Sequence, residues 1–229
     1  MARQFAQMLF GVLVVAASLL VGVQSAHAAQ SITISPTSSE ITINAGEQYQ
    51  GTIQVINQAD SPFDYKAYVL PFTVSGENYD PSFTPIPGAI KAEDWVTTKA
   101  EKTRLDPYTS TTLSYKVSVP ASAQPGGYYV VVFAETESKP LAGTGVITKQ
   151  RVGTKLYIRV AGEVRESGQV LTWQVPNLQF PPLKQLIRIE NSGAVYFPAT
   201  VHTTVRDVFG SPKYDFKQRR SVFPGKIRK

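Results

Sequence analysis

The amino-acid sequence predicts an all-β protein, and three observations support that fold class. Strand-like runs recur about every ten residues with Gly, Pro, Asn and Ser between them, which is typical of a β-sandwich. Within the runs, apolar and polar residues alternate with the period of two that a half-buried strand requires. Residues 29–229 contain no amphipathic helical pattern of useful length.

The first strands are predicted between residues 32 and 69. Alternating isoleucines at 32–34 and 41–43 form two short pieces separated by a break at 36–39, which predicts a first strand that bends from one sheet to the other. A second strand is predicted at 52–57. A third strand is predicted at 63–69, where apolar and polar residues alternate.

The segment 105–135 carries the strongest fold signal, because two strand-like runs flank a turn made by Pro125, Gly126 and Gly127. This is typical of consecutive strands in an immunoglobulin-like sandwich. We expect the apolar run from Tyr128 to be a strand at the centre of a sheet. We also expect Tyr128 to hydrogen-bond back to the preceding loop as a tyrosine corner, and Tyr129 to face the other side. With a last strand inside 149–164, an immunoglobulin-like β-sandwich domain is predicted over residues 29–166.

A second unit is predicted from three sequence echoes of the first. Residues 187–193 echo 53–59, residues 200–205 echo the third strand, and residues 223–228 echo 105–110. Three echoes in the same order predict an internal repeat. The copy ends before its last two strands, so we expect residues 167–229 to form a second, incomplete immunoglobulin-like unit. C-terminal truncation is the favoured explanation, and a partner strand that completes the sheet is the alternative.

The N-terminus predicts export. Arg3 precedes an uncharged apolar run, and Ala26-His27-Ala28 matches a signal-peptidase site, so residues 1–28 are predicted to be a signal peptide. An uncleaved anchor is the alternative, although the run is shorter than the roughly 20 residues of a spanning helix. The chain has no cysteine, which is ordinary for an exported bacterial protein. We therefore expect an extracellular or cell-envelope location.

The basic charge is concentrated near the C-terminus. Of the 23 Lys and Arg residues, seven lie in 213–229 and one is Arg3, so 15 remain in 29–212 against 16 acidic residues. The body is therefore nearly neutral, and an exported protein of this kind is not expected to bind nucleic acid. The basic tail is compatible with attraction to anionic wall polymers or lipid headgroups, and equally with solvated charges on a strand pair.

Enzymatic chemistry has little support in the sequence. After the predicted signal peptide the only histidine is His202, whereas a catalytic triad or a zinc site needs His or Cys in combination. We expect no catalytic residues, cofactor or metal, and the binding residues are unknown from sequence. Trp95 and Trp173 could be sugar-stacking platforms, but we favour packing of Trp95 in the core and of Trp173 at the junction of the units.

A set of strand and turn motifs resembles a known group of bacterial surface proteins. The motifs are Ile34-Ser35-Pro36, Gly46-Glu47, Val55-Ile56-Asn57, Trp95-Val96, Leu105-Asp106-Pro107, Val119-Pro120-Ala121 and Pro125-Gly126-Gly127-Tyr128-Tyr129. They resemble the N-terminal domain of WxL-interacting cell-surface proteins, which is distantly similar to the immunoglobulin-like domain of pilus chaperones. The resemblance implies a first domain that contacts peptidoglycan, a second that engages proteins, and membrane anchoring through a C-terminal segment that is missing from this chain.

These observations lead to one main functional hypothesis. We expect a non-enzymatic envelope or surface module for binding and adhesion, which contacts cell-wall polymer (peptidoglycan) or a partner surface protein. The loops at Pro71–Gly88 and Ser138–Gly145 are the expected recognition surfaces, because loops on rigid sandwiches usually carry binding.

The alternative hypothesis is a periplasmic pilus-type chaperone that donates a strand to its subunits. Leu156, Ile158 and Val160 would belong to the donated strand. Lys155 could supply only half of the basic anchor for a client carboxylate that such chaperones have, because residues 31–44 contain no Lys or Arg.

Overall fold

The computed structural model describes residues 31–99, 102–137, 139–140, 147–175, 182 and 184–229. The predicted signal peptide lies outside these residues, and so does the expected recognition loop Ser138–Gly145 apart from residues 139 and 140. The strands are β1 (Ile32–Ser35), β2 (Ser38–Ile43), β3 (Gln48–Asn57), β4 (Phe63–Pro71), β5 (Thr73–Ser75), β6 (Asp80–Ser82), β7 (Val96–Thr98), β8 (Thr103–Leu105), β9 (Ser110–Ser118), β10 (Gly126–Thr136), β11 (Lys139–Pro140), β12 (Ile147–Thr148), β13 (Arg151–Val160), β14 (Gly168–Gln174), β15 (Leu186–Asn191), β16 (Phe197–Arg206), β17 (Pro212–Val222) and β18 (Lys226–Arg228). One 3₁₀ turn spans Ala92–Trp95. Among the described residues, no helix has the length and apolar character needed to cross a membrane.

The first unit is an immunoglobulin-like β-sandwich, which confirms the predicted fold class. One sheet has the order β1-β3-β9-β7 and the other has the order β2-β13-β10-β4-β8. The first strand bends between the sheets as predicted, because β1 pairs antiparallel with β3 while β2 pairs parallel with β13. The apolar strand β10 lies at the centre of its sheet, between β13 and β4.

The core of the first unit is formed by the inward side chains of both sheets. Val55, Val117, Val130 and Leu156 are completely buried. Burial of such aliphatic side chains is the main stabilising contribution available to a chain without cysteine. Trp95 closes one end of this core, with 8% of its surface exposed, so its predicted packing role is confirmed.

The predicted tyrosine corner is also confirmed. The Tyr128 hydroxyl donates a hydrogen bond to the carbonyl of Gln124 at 2.8 Å, which ties the start of β10 to the preceding loop. The Tyr128 ring packs against Trp95 with ring centroids 4.5 Å apart. Tyr129 faces the opposite side of the sheet, toward the second unit.

The long segment Pro71–Gly88 differs from the predicted loop, because part of it is a short hairpin. Strands β5 and β6 pair antiparallel, and Val74 and Tyr79 are buried. The Tyr79 hydroxyl accepts a hydrogen bond from the Phe223 N–H at 3.1 Å. The Pro and Gly content indicated a loop, but contacts with residues far along the chain order half of this segment.

The second unit consists of a sheet of order β14-β15-β18 and a hairpin of β16 and β17. Pairing is antiparallel throughout. The hairpin strand β17 was not predicted, because its run of charged residues does not alternate clearly with apolar ones. Backbone hydrogen bonds to β16 define this strand, although its side-chain pattern does not indicate one.

Each unit contains a buried asparagine at an equivalent position, whose side chain joins strands within that unit. In the first unit, Asn57 is completely buried, and its side-chain amide donates to the carbonyls of Ser61 at 2.9 Å and Asp106 at 3.0 Å. Leu105 O is a further acceptor at 3.3 Å, and the Asn57 carbonyl oxygen accepts from the Ala59 N–H at 2.9 Å. The amide therefore joins the end of β3 to the end of β8.

The second unit repeats this arrangement around Asn191. Its amide donates to the carbonyls of Val195 and Val222, each at 2.8 Å, and its oxygen accepts from the Gly193 N–H at 2.8 Å. Strand pairing agrees, since Phe63 lies opposite Leu105 and Phe197 lies opposite Val222. By these contacts β14, β15, β16 and the end of β17 are equivalent to β1, β3, β4 and β8.

The third predicted echo is displaced by one residue. Residues 223–228 were matched to a segment that begins at Leu105, but Phe223 is equivalent to Asp106. The carbonyl of each residue accepts a hydrogen bond from the N–H three positions later, at 3.1 Å for Phe223 and at 3.3 Å for Asp106. Each turn also places its third residue at positive φ, +55° at Tyr108 and +66° at Gly225. Apolar matching misaligned the pair, because the backbone turn and not the side-chain type sets the equivalence.

Candidate functional site

The candidate site is an open groove inside the second unit, between the β14-β15-β18 sheet and the β16–β17 hairpin. Its volume is about 490 Å³. The apolar side chains in its wall are Val170, Trp173, Ile187, Ile189, Phe197, Ala199 and Val201. In the first unit the corresponding space is filled by the core.

The groove is open because one edge of β16 is unpaired in the part of the chain that the structure describes. In the first unit, the equivalent strand β4 pairs with β8 on one side and with β10 on the other. Strand β16 pairs with β17 alone. Its free edge therefore presents backbone N–H and C=O groups that another strand can use.

The side chains of β16 alternate like those of a half-buried strand. Every second residue from Phe197 to Val205 is half-buried, while the residues between them are exposed, and Phe197, Ala199 and Val201 of the half-buried set line the groove. Opposite them, Trp173 is 62% exposed and Val170 is 55% exposed. Large apolar side chains facing one another across an unfilled space indicate a surface adapted to contact further apolar groups.

An aromatic cluster holds the groove in a fixed position relative to the first unit. The Tyr129 ring packs edge-on against Phe223 with centroids 4.8 Å apart, and Phe223 also contacts Phe72 at 5.5 Å. The Tyr196 N–H donates to the Tyr129 hydroxyl oxygen at 2.8 Å. Burial raises the pKa of Tyr129 to about 12, so this hydroxyl stays protonated at neutral pH.

An ion pair reinforces the junction at its rim. The Arg188 Nε donates to Glu77 Oε2 at 2.8 Å, and the second guanidinium nitrogen contacts Oε1. Hydrogen bonding to Arg188 lowers the pKa of Glu77, since the bonds favour the ionised carboxylate. The hairpin of β5 and β6 thus connects the first unit to β15.

A second cavity lies at the junction, beside the groove. It measures about 490 Å³, and Phe72, Tyr129 and Phe223 form part of its wall together with residues 84–93. Ile86 and Ile90 on that segment are 55% and 54% exposed. Both ends of the segment predicted as a recognition surface therefore line a cavity, while its middle part forms the β5–β6 hairpin.

The residues predicted to be donated as a strand are not on a free edge. Leu156, Ile158 and Val160 are buried in the core of the first unit. Strand β13 pairs with β10 on one side and, from Lys155 to Val160, with β2 on the other. Donation of this stretch would require β2 to separate and the core to open.

Lys155 has a neighbour that sequence reasoning missed. It lies with Arg228 in the wall of a cavity of about 420 Å³ at the junction. The Arg228 guanidinium stacks over the Tyr79 ring at 4.2 Å and donates to the Ser221 carbonyl at 2.8 Å. Only the tertiary structure brings these two cations to one cavity, because 73 residues separate them in sequence.

Two predicted side-chain roles have different outcomes. The packing role expected for Trp173 at the junction is wrong, because this residue lies on β14 in the wall of the groove and is exposed. His202 is an exposed residue of β16, as expected, and its Nε2 contacts Asp215 on the paired strand β17. Within the described ranges, no group of three or more His, Cys, Asp or Glu residues is placed to hold a metal ion.

Comparisons with known proteins give similarity in fold alone. No protein-family model and no curated protein matches the sequence. Among solved structures, the class 5 fimbriae chaperone CfaA is 13% identical, with 86% of this chain and 84% of that chain covered and a TM-score of 0.49. The YadV chaperone has the same identity and TM-score, with 86% and 82% covered.

The E. coli chaperone DraB is similar to a comparable degree. It is 17% identical, with 87% of this chain and 83% of that chain covered and a TM-score of 0.42. Similarities of this size do not indicate what this chain binds. Membership of the WxL-interacting group is not confirmed by these comparisons.

Proposed function

We propose that this protein is a non-enzymatic polypeptide-binding protein of the cell envelope, which accepts a β-strand from a partner surface protein in the open groove. The single observation that carries the proposal is the unpaired edge of β16 above an exposed apolar groove. An added strand would satisfy the edge hydrogen bonds and cover the groove at the same time.

The first unit supplies a template for the incoming strand. There, β10 runs antiparallel to β4 with Val132 opposite Val69, Ala134 opposite Ala67 and Thr136 opposite Tyr65. The inward residues of β10 are buried, from Val130 at 0% to Thr136 at 0% exposed. By equivalence, we expect the partner strand to lie antiparallel to β16 and to present apolar side chains at every second position.

A peptide-binding experiment tests this proposal. The probe is a fluorescent synthetic peptide with the sequence of residues 128–136, extended by lysines for solubility, and the readout is anisotropy with the full chain. A peptide of the same length in which the inward residues Val130, Val132 and Ala134 are replaced by serine is the control probe. We expect saturable binding of the first peptide and at least about tenfold weaker binding of the second, because burying each apolar side chain contributes about 1.5–3 kcal/mol.

Two substitutions on β16 form a matched pair. Val201→Lys places a charge in the groove, whereas Thr204→Lys places the same charge on the exposed face. Val201→Lys should abolish binding, and Thr204→Lys should leave it within a factor of about two, since exposed substitutions rarely exceed ±0.5 kcal/mol. Equal affinity of both variants would contradict strand acceptance in the groove.

A pilus-type chaperone remains a second candidate, and one observation favours it. Lys155 and Arg228 line the same junction cavity, where together they could hold a partner's C-terminal carboxylate. We expect a peptide with a free C-terminus to bind more tightly than its amidated form. Loss of that difference in Arg228→Gln would support this role, whereas equal binding of the two peptides by the unsubstituted chain would exclude it.

A further inference from the structure

The tip of the β16–β17 hairpin carries two apolar side chains that nothing in the described chain covers. Val208 is 94% exposed and Phe209 is 90% exposed, the highest values among the large apolar residues that the structure describes. Single exposed apolar residues are common on protein surfaces. Two adjacent ones at the apex of a projecting hairpin, with cations behind them, form a more specific arrangement.

The tip has a defined conformation. Asp207 Oδ1 accepts hydrogen bonds from the N–H groups of Phe209 and Ser211, both at 2.9 Å. Arg206 donates to the Gly210 carbonyl at 2.9 Å, and Gly210 takes a φ of +83° that closes the turn. Because the polar groups of the loop bond to one another, the two apolar side chains are left pointing outward.

The residues behind the tip are basic and aromatic. From Arg206 to Arg220 there are five basic residues and two acidic residues, which gives this stretch a net charge of +3. Lys213 is paired with Asp207, and Asp215 contacts the His202 ring. Tyr214 is 67% exposed and lies close behind the tip.

The spacing of these groups matches the layers of a membrane surface. A strand rises about 3.3 Å per residue, so Arg206, Lys213 and Tyr214 lie within roughly 10–15 Å of the tip along the hairpin. Interfacial segments bury their apolar groups about 5–10 Å into the boundary between headgroups and acyl chains, with cations near the anionic headgroups. Tyrosine favours the same interfacial depth.

We propose that the hairpin tip binds the surface of an anionic lipid membrane by inserting Val208 and Phe209. A hydrated anionic polymer would attract the cations but would offer no apolar environment for the tip. A protein partner would need a patch near 800 Å² per side, which is far wider than two side chains. The lipid surface accounts for both the apolar and the basic features.

Vesicle flotation of the full chain tests this inference. We expect binding to vesicles of equal parts phosphatidylglycerol and phosphatidylcholine, and weaker binding to phosphatidylcholine alone or at raised salt. The double variant Val208→Ser/Phe209→Ser should bind at least about tenfold more weakly. The matched control Ile86→Ser/Ile90→Ser removes two exposed apolar residues elsewhere and should bind like the unsubstituted chain.

A fluorescence measurement reports insertion directly. Phe209→Trp should gain blue-shifted emission with vesicles, relative to the unsubstituted chain, and brominated lipids should quench it. Absence of vesicle binding, or equal binding by Val208→Ser/Phe209→Ser, would overturn the inference. So would bound Phe209→Trp without a blue shift, since that result would indicate electrostatic attraction alone.

Discussion

Replacement of Asn57 by alanine tests the role of the buried amide in the first unit. The substitution removes the bonds to the carbonyls of Ser61 and Asp106, at 2.9 Å and 3.0 Å, and leaves the Ala59 N–H without its acceptor. Ala59 is only 2% exposed, so water cannot easily replace the lost oxygen. A buried group left unsatisfied costs about 1–3 kcal/mol, and carbonyls tolerate the loss better than N–H groups.

We therefore expect Asn57→Ala to lower the free energy of unfolding by about 3 kcal/mol, a large fraction of the roughly 5–15 kcal/mol typical of a domain. Urea denaturation followed by circular dichroism and by the fluorescence of buried Trp95 measures the change. Gln54→Ala is the matched control, because Gln54 lies on the same strand and its bond to Thr112 is exposed. The control should change stability by less than about 0.5 kcal/mol.

A loss below about 1 kcal/mol in Asn57→Ala, with an unchanged denaturant slope, would refute this reasoning. It would mean that the loop carbonyls and the Ala59 N–H find other partners when the amide is absent. Asn57→Asp should not rescue the protein, because the carboxylate keeps the acceptor but cannot donate to the two carbonyls.

Three further predictions concern the turn, the sheet and the junction. Tyr128→Phe should cost about 1 kcal/mol in urea denaturation, since it loses only the bond to the Gln124 carbonyl. Gly153→Ala should destabilise by about 1–3 kcal/mol, because its methyl group would lie 2.5 Å from a methyl of Val131; an unchanged midpoint would show that the neighbours move freely. Tyr129 has a folded pKa of about 12 against a usual value of 10.0, so the protonated form is favoured in the folded state and its stabilisation is lost as the pH rises through that range. Between these pH values the free energy of unfolding, measured by urea denaturation, should therefore fall less in Tyr129→Phe than in the unsubstituted chain, by up to about 2.7 kcal/mol. The same pH dependence of the unfolding free energy in both proteins would contradict this prediction.

The sequence predicted the first unit in some detail because its information is local. Alternation of apolar and polar residues located β3, β4 and β13, and the Pro-Gly-Gly turn located β10 and the tyrosine corner. The bend between β1 and β2 followed from the break in the isoleucine pattern. The hairpin of β5 and β6 was missed, because its order comes from contacts with Phe223 and Arg188 in the second unit.

The candidate site was less predictable than the fold. The similarity of the segments around Asn57 and Asn191 predicted a second unit. An open groove could not be predicted in this way, because it depends on which strands pair and not on composition. Trp173 was expected to pack at the junction because tryptophan is usually buried, yet it lies in the groove wall. The role of Leu156, Ile158 and Val160 was also misjudged, since the same alternation fits a donated strand and a core strand.

The sequence by itself determined the all-β class, the main strands of the first unit and the presence of a repeated unit, because periodicity and turn residues act between near neighbours in the chain. The tertiary structure decided which strands pair, which edge of β16 stays free and how the units meet. These features depend on residues far apart, such as Glu77 and Arg188, which are separated by 111 positions. No local pattern encodes such a contact, because it forms only when both units have folded and packed together.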